Sequence, residues 1–429
     1  MPPRRRALEA AGEGRISADQ LTFASLPLAL AQRVFLALPV DSRGRASCVC
    51  RAWRDVLAEP LLWTRLDLSG VDVPYHRKLP VLRGAAARAR ALLYLLDVSG
   101  THYSLETWHE LLAANAGSLR ELRVDSLSAT GSLATPVEAL MAAAPLLQVL
   151  EVRNAYSSWE EAPRVVRAEP PFALLRLVST IHVYFVDDDE PDGPHGIERV
   201  GPFASALADV TLQPALVRVH INFADTAQPD VMGALADAVL ARRLRELTLE
   251  NCTPPAAAPL ARLLTEGSLT DLCITSETEG PQMPLLDAAG AALVAGALRV
   301  NTKLTSLLLL GTGLCRDMDA TRTLLAALVG HPSLRYFSLT DEGPLDDVGA
   351  LADALAALAA ADAPALYSLD CSWLRLEDEG LAPIIEALPR NHHLQKLCIG
   401  GNDASEPFKR VLRALLAGHP TLLELDLQD

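Results

Sequence analysis

The sequence predicts an α/β solenoid, with a parallel β-sheet inside and helices outside, preceded by a small unit of three helices. Two observations predict this fold. A leucine pattern returns about every 30 residues over most of the chain, and the N-terminal segment lacks that pattern but has helical periodicity. Of the 429 residues, 79 are Leu and half are hydrophobic. This composition excludes intrinsic disorder for most of the chain.

The repeated pattern is L-x-x-L-x-L, typical of a short strand whose apolar side chains point to one side. Good copies begin at Leu119, Leu147, Leu244, Leu269, Leu304, Leu394 and Leu422. Variants with conservative replacements begin at Trp63, Leu93, Val178, Leu216, Leu334 and Leu366. The stretches between copies have helical periodicity. One strand and one helix cannot bury an apolar face alone, so we expect the repeats to stack on one another.

This pattern resembles the leucine-rich-repeat family, in its long, helix-containing, ribonuclease-inhibitor-like class. That class usually has Asn or Cys at the ninth repeat position, where the side chain satisfies backbone groups after the strand. Cys252 and Asn402 occupy that position. Thr312, Glu342 and Leu374 occupy it in other repeats, so we expect some of the loops to be irregular.

The segment before the first repeat is predicted to form three short helices. Pro39 closes the first helix, and Asp41 or Ser42 is the predicted N-cap of the second. The third helix carries Trp53 and ends before Pro60. Three short helices bury little surface, so such a unit is expected to lean on a partner or on the neighbouring repeats.

The same segment resembles the F-box motif over about 40 residues. The matching residues are Leu26, Pro27, Val34, Phe35, Leu38, Arg43, Arg45, Val49, Cys50, Trp53, Pro60 and Trp63. An acidic residue usually follows the opening Leu-Pro of the family, and Leu28-Ala29 stand there instead. The resemblance implies that the F-box docks onto the Skp-type adaptor of a cullin–RING ubiquitin ligase, while the repeats present a substrate.

By this resemblance, seven residues are candidates for the adaptor interface or for the small core behind it. They are Leu26, Pro27, Val34, Phe35, Leu38, Val49 and Trp53. The structural alternative is a helical cap that closes the open end of the solenoid. Both roles are compatible, since Trp63 begins the first repeat. The predicted domains are a disordered tail (1–20), the F-box (21–62) and a solenoid of about thirteen units (63–429).

Charge, hydropathy and cysteine usage narrow the class of partner and the compartment. A net charge of −15 argues against a nucleic-acid partner, which needs clustered positive charge. No apolar run reaches the ~18 residues of a membrane span, so no membrane partner is expected. The seven cysteines are odd in number and scattered, which favours reduced thiols and a cytoplasmic or nuclear location.

The sequence contains none of the common catalytic motifs. H-E-x-x-H, the P-loop and G-x-S-x-G are all absent. The acidic run from Asp187 to Glu190 lacks the spaced oxygen ligands of an EF-hand loop, so a solvated loop is favoured over a metal site. We therefore expect no catalytic residues, no metal and no cofactor, and a binding role is favoured.

The third, fifth and seventh positions of each repeat are predicted to face a concave surface that binds the substrate. Acids and bases number five and four there in the first six units, and six and one in the last seven. Candidate substrate-binding residues are Arg123, Arg153, Arg218, His220, Glu246, Glu250, Asp271, Tyr336, Asp370 and Lys396. The acidic half predicts a partner with a basic segment. Alternatively, these charges only keep a leucine-rich surface soluble.

Together these features predict a non-catalytic substrate-recognition subunit of an SCF-type (cullin–RING) E3 ubiquitin ligase. The alternative is a leucine-rich-repeat scaffold that acts independently of the ligase. A GTPase-activating repeat protein is a third possibility, because some ribonuclease-inhibitor-like repeat proteins have that activity, but no residue singles it out.

Overall fold

The computed structural model describes residues 26–69, 75–98, 107, 111–127, 133–175, 178–184, 196–276, 285–341, 345, 347–361 and 365–427. The N-terminal elements are α1 (Leu28–Leu36), α2 (Val40–Ala46), α3 (Arg51–Leu57), β1 (Arg65–Asp67), α4 (Tyr75–Arg88), β2 (Leu95–Asp97), β3 (Glu121–Ser126) and α5 (Ala134–Ala143). The predicted tail and the acidic run 187–190 lie outside the described residues.

Strands and helices continue to alternate along the rest of the chain. The elements are β4 (Val149–Ser158), α6 (Ala162–Val166), β5 (Thr180–Tyr184), α7 (Ile197–Ala208), β6 (Arg218–Asn222), α8 (Pro229–Arg242), β7 (Glu246–Glu250), α9 (Ala257–Glu266), β8 (Asp271–Thr275), α10 (Ala288–Val300), β9 (Ser306–Leu310), α11 (Met318–Leu328), β10 (Tyr336–Thr340), α12 (Val348–Ala360), β11 (Ser368–Asp370), α13 (Glu377–Ala387), β12 (Lys396–Cys398), α14 (Glu406–Gly418) and β13 (Glu424–Asp426).

The described residues form a parallel sheet whose thirteen strands stand in chain order. Each strand begins two residues after the first residue of its leucine pattern, so the predicted strands and the predicted α/β fold are confirmed. The chain divides into two compact units. The first comprises Met1–Asp125 and Ala139–Val149, and the second comprises Ser126–Glu138 and Leu150–Asp429.

The leucine pattern builds the core because alternate strand residues point to opposite faces of the sheet. In β7, Leu247 and Leu249 are buried, while Glu246, Thr248 and Glu250 are half-buried. The inward side chains meet the helices, and a small apolar cavity is lined by both layers. Its lining includes Leu260 and Leu264 of α9, Leu272 and Ile274 of β8, and Val294 and Leu298 of α10. Each buried leucine stabilises the stack by about 2 kcal/mol.

Asn402 holds two successive loops together, as the repeat class implies for its ninth position. Its Oδ1 accepts hydrogen bonds from the backbone N–H groups of Leu374 and Leu376, at 3.0 and 3.2 Å. Its Nδ2 donates to the carbonyl oxygens of Cys371 and Ile399, at 2.8 and 2.9 Å. Asn402 is buried, so these bonds satisfy backbone groups that water does not reach.

A second recurring polar residue lies three positions before the leucine pattern, where a helix turns into the next strand. Asn301 and Asn391 accept there from the backbone N–H groups of Leu304 and Leu394, at 2.8 and 2.7 Å. In another repeat His331 Nδ1 takes the same role. In three repeats, a side chain thus accepts a hydrogen bond from the backbone of the turn between helix and strand. His331 therefore has a structural role in its turn.

The second helix begins earlier than the sequence predicts. It starts at Val40, and its N-cap is Pro39 rather than Asp41 or Ser42, which both lie in the first turn. The fixed φ of Pro39, −55°, directs the chain into the helix at once. In the first repeat, Trp63 ends a 3₁₀ turn (Pro60–Trp63), and the strand starts two residues later, at the same offset as in the other repeats.

Arg43 connects the helices of the N-terminal segment from within. Its guanidinium donates to the carbonyl oxygens of Leu36, Leu38 and Leu62, at 3.0, 2.9 and 2.7 Å. Burial lowers the pKa of Arg43. The buried indole of Trp63 donates in the same way to the carbonyl of Leu57, at 2.8 Å. These bonds fix the end of α1 and the 3₁₀ turn against each other.

Candidate functional site

The N-terminal helices expose large apolar side chains, which we name the N-terminal apolar surface. It consists of Leu28, Leu30, Val34, Leu36 and Val49, each between 47 and 64% exposed. Leu30 and Val34 lie one turn apart on the same face of α1. Exposed apolar side chains of this kind are candidates for contact with another protein.

The seven residues predicted for the adaptor interface divide into exposed and internal positions. Pro27, Val34 and Val49 are exposed, and Leu26, Leu38 and Trp53 are half-buried. Phe35 is buried and packs edge-to-face on Trp53, with ring centroids 5.5 Å apart. Phe35 thus lies in the small core behind the surface, which is one of the two roles predicted for these residues.

Sequence reasoning did not identify Leu28, Leu30 and Leu36 as surface residues. All three are apolar residues of a helix rich in apolar residues, and the inward face is taken by Ala31 and Phe35. The sequence does contain a signal for this exposure. Helix α1 has more large apolar side chains than the one buried face of a nine-residue helix can hold.

The strands of the second unit carry their outward side chains in rows on the face opposite the helices, which we name the open sheet face. The first row is Asn154, Thr180, Arg218, Glu246, Asp271, Ser306, Tyr336, Ser368, Lys396 and Glu424. The middle row is Tyr156, His182, His220, Thr248, Cys273, Leu308, Ser338, Asp370, Cys398 and Asp426. Neighbours in a row lie about 5 Å apart.

Several charges predicted to bind a substrate are paired with each other across neighbouring strands. Arg218 Nε lies 2.6 Å from a carboxylate oxygen of Glu246, and Lys396 Nζ lies 2.6 Å from Glu424. The ratio of six acids to one base in the second half therefore overstates the negative charge that a partner meets. Asp271 remains beside the Arg218–Glu246 pair and accepts from the hydroxyl of Thr270.

The other predicted substrate residues occupy separate places. In the first unit, Arg123 lies 3.9 Å from Asp97 and 3.7 Å from Glu121. In the second unit, Arg153 is exposed, and Asp370 accepts a hydrogen bond from Ser338 at 2.9 Å.

Tyr336 is close to half exposed. Its ring lies 5.7 Å from the ring of Tyr367, a residue that sequence reasoning missed because it precedes its strand. The predicted substrate-binding residues are thus spread over many strands of the sheet and are not gathered in one pocket.

Four rings gather on strands β4, β5 and β6, and we name them the ring cluster: Tyr156, His182, Tyr184 and His220. Tyr156 stacks on His182 with centroids 4.3 Å apart and planes at 11°. His182 lies 4.8 Å from His220, and Tyr184 lies 6.4 Å from Tyr156. His220 Nε2 contacts the carboxylate of Glu250. Burial and the neighbouring His220 lower the pKa of His182 to about 4.

The thiols on the open sheet face are held in their protonated form. Burial, together with the charge of Glu250, raises the pKa of Cys273 to about 11. Burial and Asp370 raise the pKa of Cys398 to about 11 as well. A thiolate nucleophile needs the opposite shift. Over the described ranges, no group of three or more His, Cys, Asp or Glu residues is placed to hold a metal ion. No helix in that part of the chain is long and apolar enough to cross a membrane.

Comparison with known proteins identifies the class of the N-terminal segment. The F-box-like family profile matches residues 23–69, which include α1, α2, α3 and β1. An F-box-like segment thus precedes a parallel strand–helix repeat, and the predicted resemblance to the F-box/leucine-rich-repeat family is confirmed.

A curated relative has the same two-part description. The chain is 26% identical over 166 residues to "Putative F-box/LRR-repeat protein 22" of Arabidopsis thaliana, an alignment that covers 36% of this chain. The chain spans about half the length of that relative, 51%.

Two solved structures are distantly similar. A protein from Bacteroides fragilis has 14% identity and a TM-score of 0.40, over 67% of this chain and 76% of that one. A chain of the Rad7 and Elc1 complex in yeast has 14% identity and a TM-score of 0.37, over 87% and 89%. Both scores lie below 0.5, so the fold assignment rests on this chain's own strand order and burial.

Proposed function

We propose that the chain is the substrate-recognition subunit of an SCF-type (cullin–RING) E3 ubiquitin ligase. Its F-box-like segment binds a Skp-type adaptor, and its repeats bind a protein substrate. The observation that carries this proposal is the N-terminal apolar surface on a segment matched by the F-box-like profile. Burying such a surface against a partner is the main favourable term in protein association.

In this role the chain is non-catalytic and needs no cofactor. Ubiquitin transfer is performed by the RING and E2 partners, and the chain supplies proximity between the target lysine and the E2. We place this role in the cytoplasm, the nucleus or both. The protonated thiols of Cys273 and Cys398 support a binding role, since they are poor nucleophiles.

The adaptor half of the proposal is tested with the full-length chain and an immobilised, purified Skp-type adaptor. The wild-type chain is expected to be retained. Val34→Asp puts a charge on the exposed surface, and we expect it to weaken binding by about tenfold or more. Leu293→Asp is the matched control, because Leu293 is a similarly exposed apolar residue within helix α10.

Failure of the wild-type chain to bind would overturn the proposal and leave the ligase-independent scaffold. Equal weakening by both variants would also contradict it, because the loss would then follow the added charge and not the surface. Val34 is chosen in place of Phe35, since substitution of the buried Phe35 would disturb the helices themselves.

A further inference from the structure

The ring cluster is unusual in this chain for its place as well as its composition. Only 5% of the residues are Phe, Trp or Tyr, yet Tyr156 and Tyr184 lie beside two imidazoles on adjacent strands of the open sheet face. All four rings are half-buried, so each keeps part of its surface in water. Tyrosine combines a large apolar ring with a polar end and is enriched at binding hot spots.

The charged residues of strands β6, β7 and β8, beside the cluster, are negative on balance. His220 Nε2 and Asn222 Nδ2 both contact the carboxylate of Glu250, the latter at 3.0 Å. In the neighbouring row, Arg218 is balanced by Glu246, and Asp271 follows. One guanidinium against three carboxylates gives a formal charge of −2 for this part of the face.

Two of the rings, those of His182 and Tyr184, do not offset this negative charge. Burial and His220 lower the pKa of His182 to about 4, so His182 is neutral at pH 7. Burial, Tyr156 and Glu250 raise the pKa of Tyr184, which therefore keeps its proton. Beside Tyr184 on the neighbouring strand, Asn222 Oδ1 is a buried acceptor that receives no hydrogen bond from the described residues. The site therefore combines ring surface with a carboxylate and a surplus acceptor.

We propose that the ring cluster and Glu250 bind a lysine or arginine side chain of a protein partner. The aliphatic stem of such a side chain packs on the rings, and its charged end lies at the carboxylate of Glu250. An acidic side chain would meet the carboxylate of Glu250, and a purely apolar one would cover Glu250 without compensation. The inference rests on the proposed function, in which the repeats bind a protein, and it adds the place and the chemistry of the anchor.

Binding is measured by histidine-selective NMR on the isotope-labelled full-length chain. The probes are capped heptapeptides Gly-Ser-Gly-X-Gly-Ser-Gly in which X is Arg, Lys, Glu or Leu. His182 and His220 report directly, and their signals are assigned with His182→Gln and His220→Gln. We expect saturable shifts of both signals with the Arg and Lys peptides, with a Kd of about 1 mM for a single anchor.

Variants then separate the cluster from the general charge of the face. Glu250→Gln is expected to weaken binding of the Arg peptide about tenfold, and Tyr156→Ala about fivefold. Tyr156→Phe keeps the ring and should bind like the wild type. Glu424→Gln makes the same change of charge at the far end of the first row, and it should also leave binding unchanged.

Three results would overturn the proposal: no saturable shift with either basic peptide, equal binding of the Glu or Leu peptide, or equal weakening by Glu424→Gln and Glu250→Gln. The adaptor experiment involves none of these residues. A chain that binds the adaptor but no basic peptide therefore contradicts only this inference, and a chain that binds the peptide but no adaptor contradicts only the proposed function.

Discussion

His182 is a histidine that folding holds in its neutral form. It lies between the ring of Tyr156 and the imidazole of His220, on the open sheet face. Burial removes water that would solvate its positive charge, and His220 adds repulsion, so its pKa falls to about 4. In the unfolded chain a histidine titrates near pH 6.5. As the pH is lowered, the unfolded chain therefore takes up this proton at a higher pH than the folded chain does.

This difference in pKa predicts that the free energy of unfolding decreases as the pH is lowered. The contribution of His182 is fully present above about pH 6.5 and is lost progressively as the pH falls toward about 4. At pH 5 the loss amounts to about 2 kcal/mol. Urea unfolding at pH 7 and pH 5 measures it, and we expect His182→Gln to show a smaller decrease than the wild type by that amount. His392→Gln, at an exposed histidine, is the control.

An equal decrease in the wild type and in His182→Gln would contradict the position of His182 among the rings. Loss of the stability decrease between pH 7 and pH 5 in His392→Gln would also contradict that position.

Tyr156 is a residue of the ring cluster whose outward position the leucine pattern does not predict. Counted from Leu147, the repeat pattern places alternate residues outward only as far as Arg153. Strand β4 runs for ten residues, and its inward positions shift from Leu150 and Val152 to Ala155 and Ser157. The shift turns Tyr156 outward, opposite His182. The leucine spacing does not encode this shift, so the pattern did not place Tyr156.

At the scale of one element, helix α1 combines a core face and an outer face in nine residues. Ala31 and Phe35 are buried, and Leu30 and Val34 are exposed. The sequence predicts the helix and its end at Pro39, because periodicity and proline act locally. It does not decide which apolar side chains are buried. That choice depends on Trp53 and on the neighbouring helices, which pack against one side of α1.

This division predicts that substitutions at two adjacent residues change the free energy of unfolding by very different amounts. Phe35→Ala removes a buried ring that packs on Trp53, and we expect it to lower the free energy of unfolding of the N-terminal helices by about 3 kcal/mol. Val34→Asp changes an exposed position and should alter that free energy by no more than about 0.5 kcal/mol. Urea unfolding followed by tryptophan fluorescence measures both, since Trp53 and Trp63 lie in this segment.

If Phe35→Ala left stability unchanged but abolished adaptor binding, Phe35 would be an interface residue and the packing described for α1 would be wrong.

At the scale of the whole chain, the excess of leucine is explained by the repeats. A strand begins within every one of the thirteen leucine patterns, because the same inward positions recur in each unit and neighbouring strands bury them together. The distribution of charge was less predictable. Pairs such as Arg218–Glu246 and Lys396–Glu424 join residues 28 positions apart, and only the register between strands brings them together. Some of the carboxylates on the open sheet face are therefore balanced locally by bases that the net charge of −15 already includes.

Hydrogen–deuterium exchange of the full-length chain, with and without a purified Skp-type adaptor, measures where on the chain the adaptor binds. We expect slower exchange of the amides of α1, α2 and α3 when the adaptor is bound, and unchanged exchange in strands β9 to β11. Protection confined to the strands, or no protection anywhere, would contradict the claim that the N-terminal apolar surface is where a ligase adaptor binds.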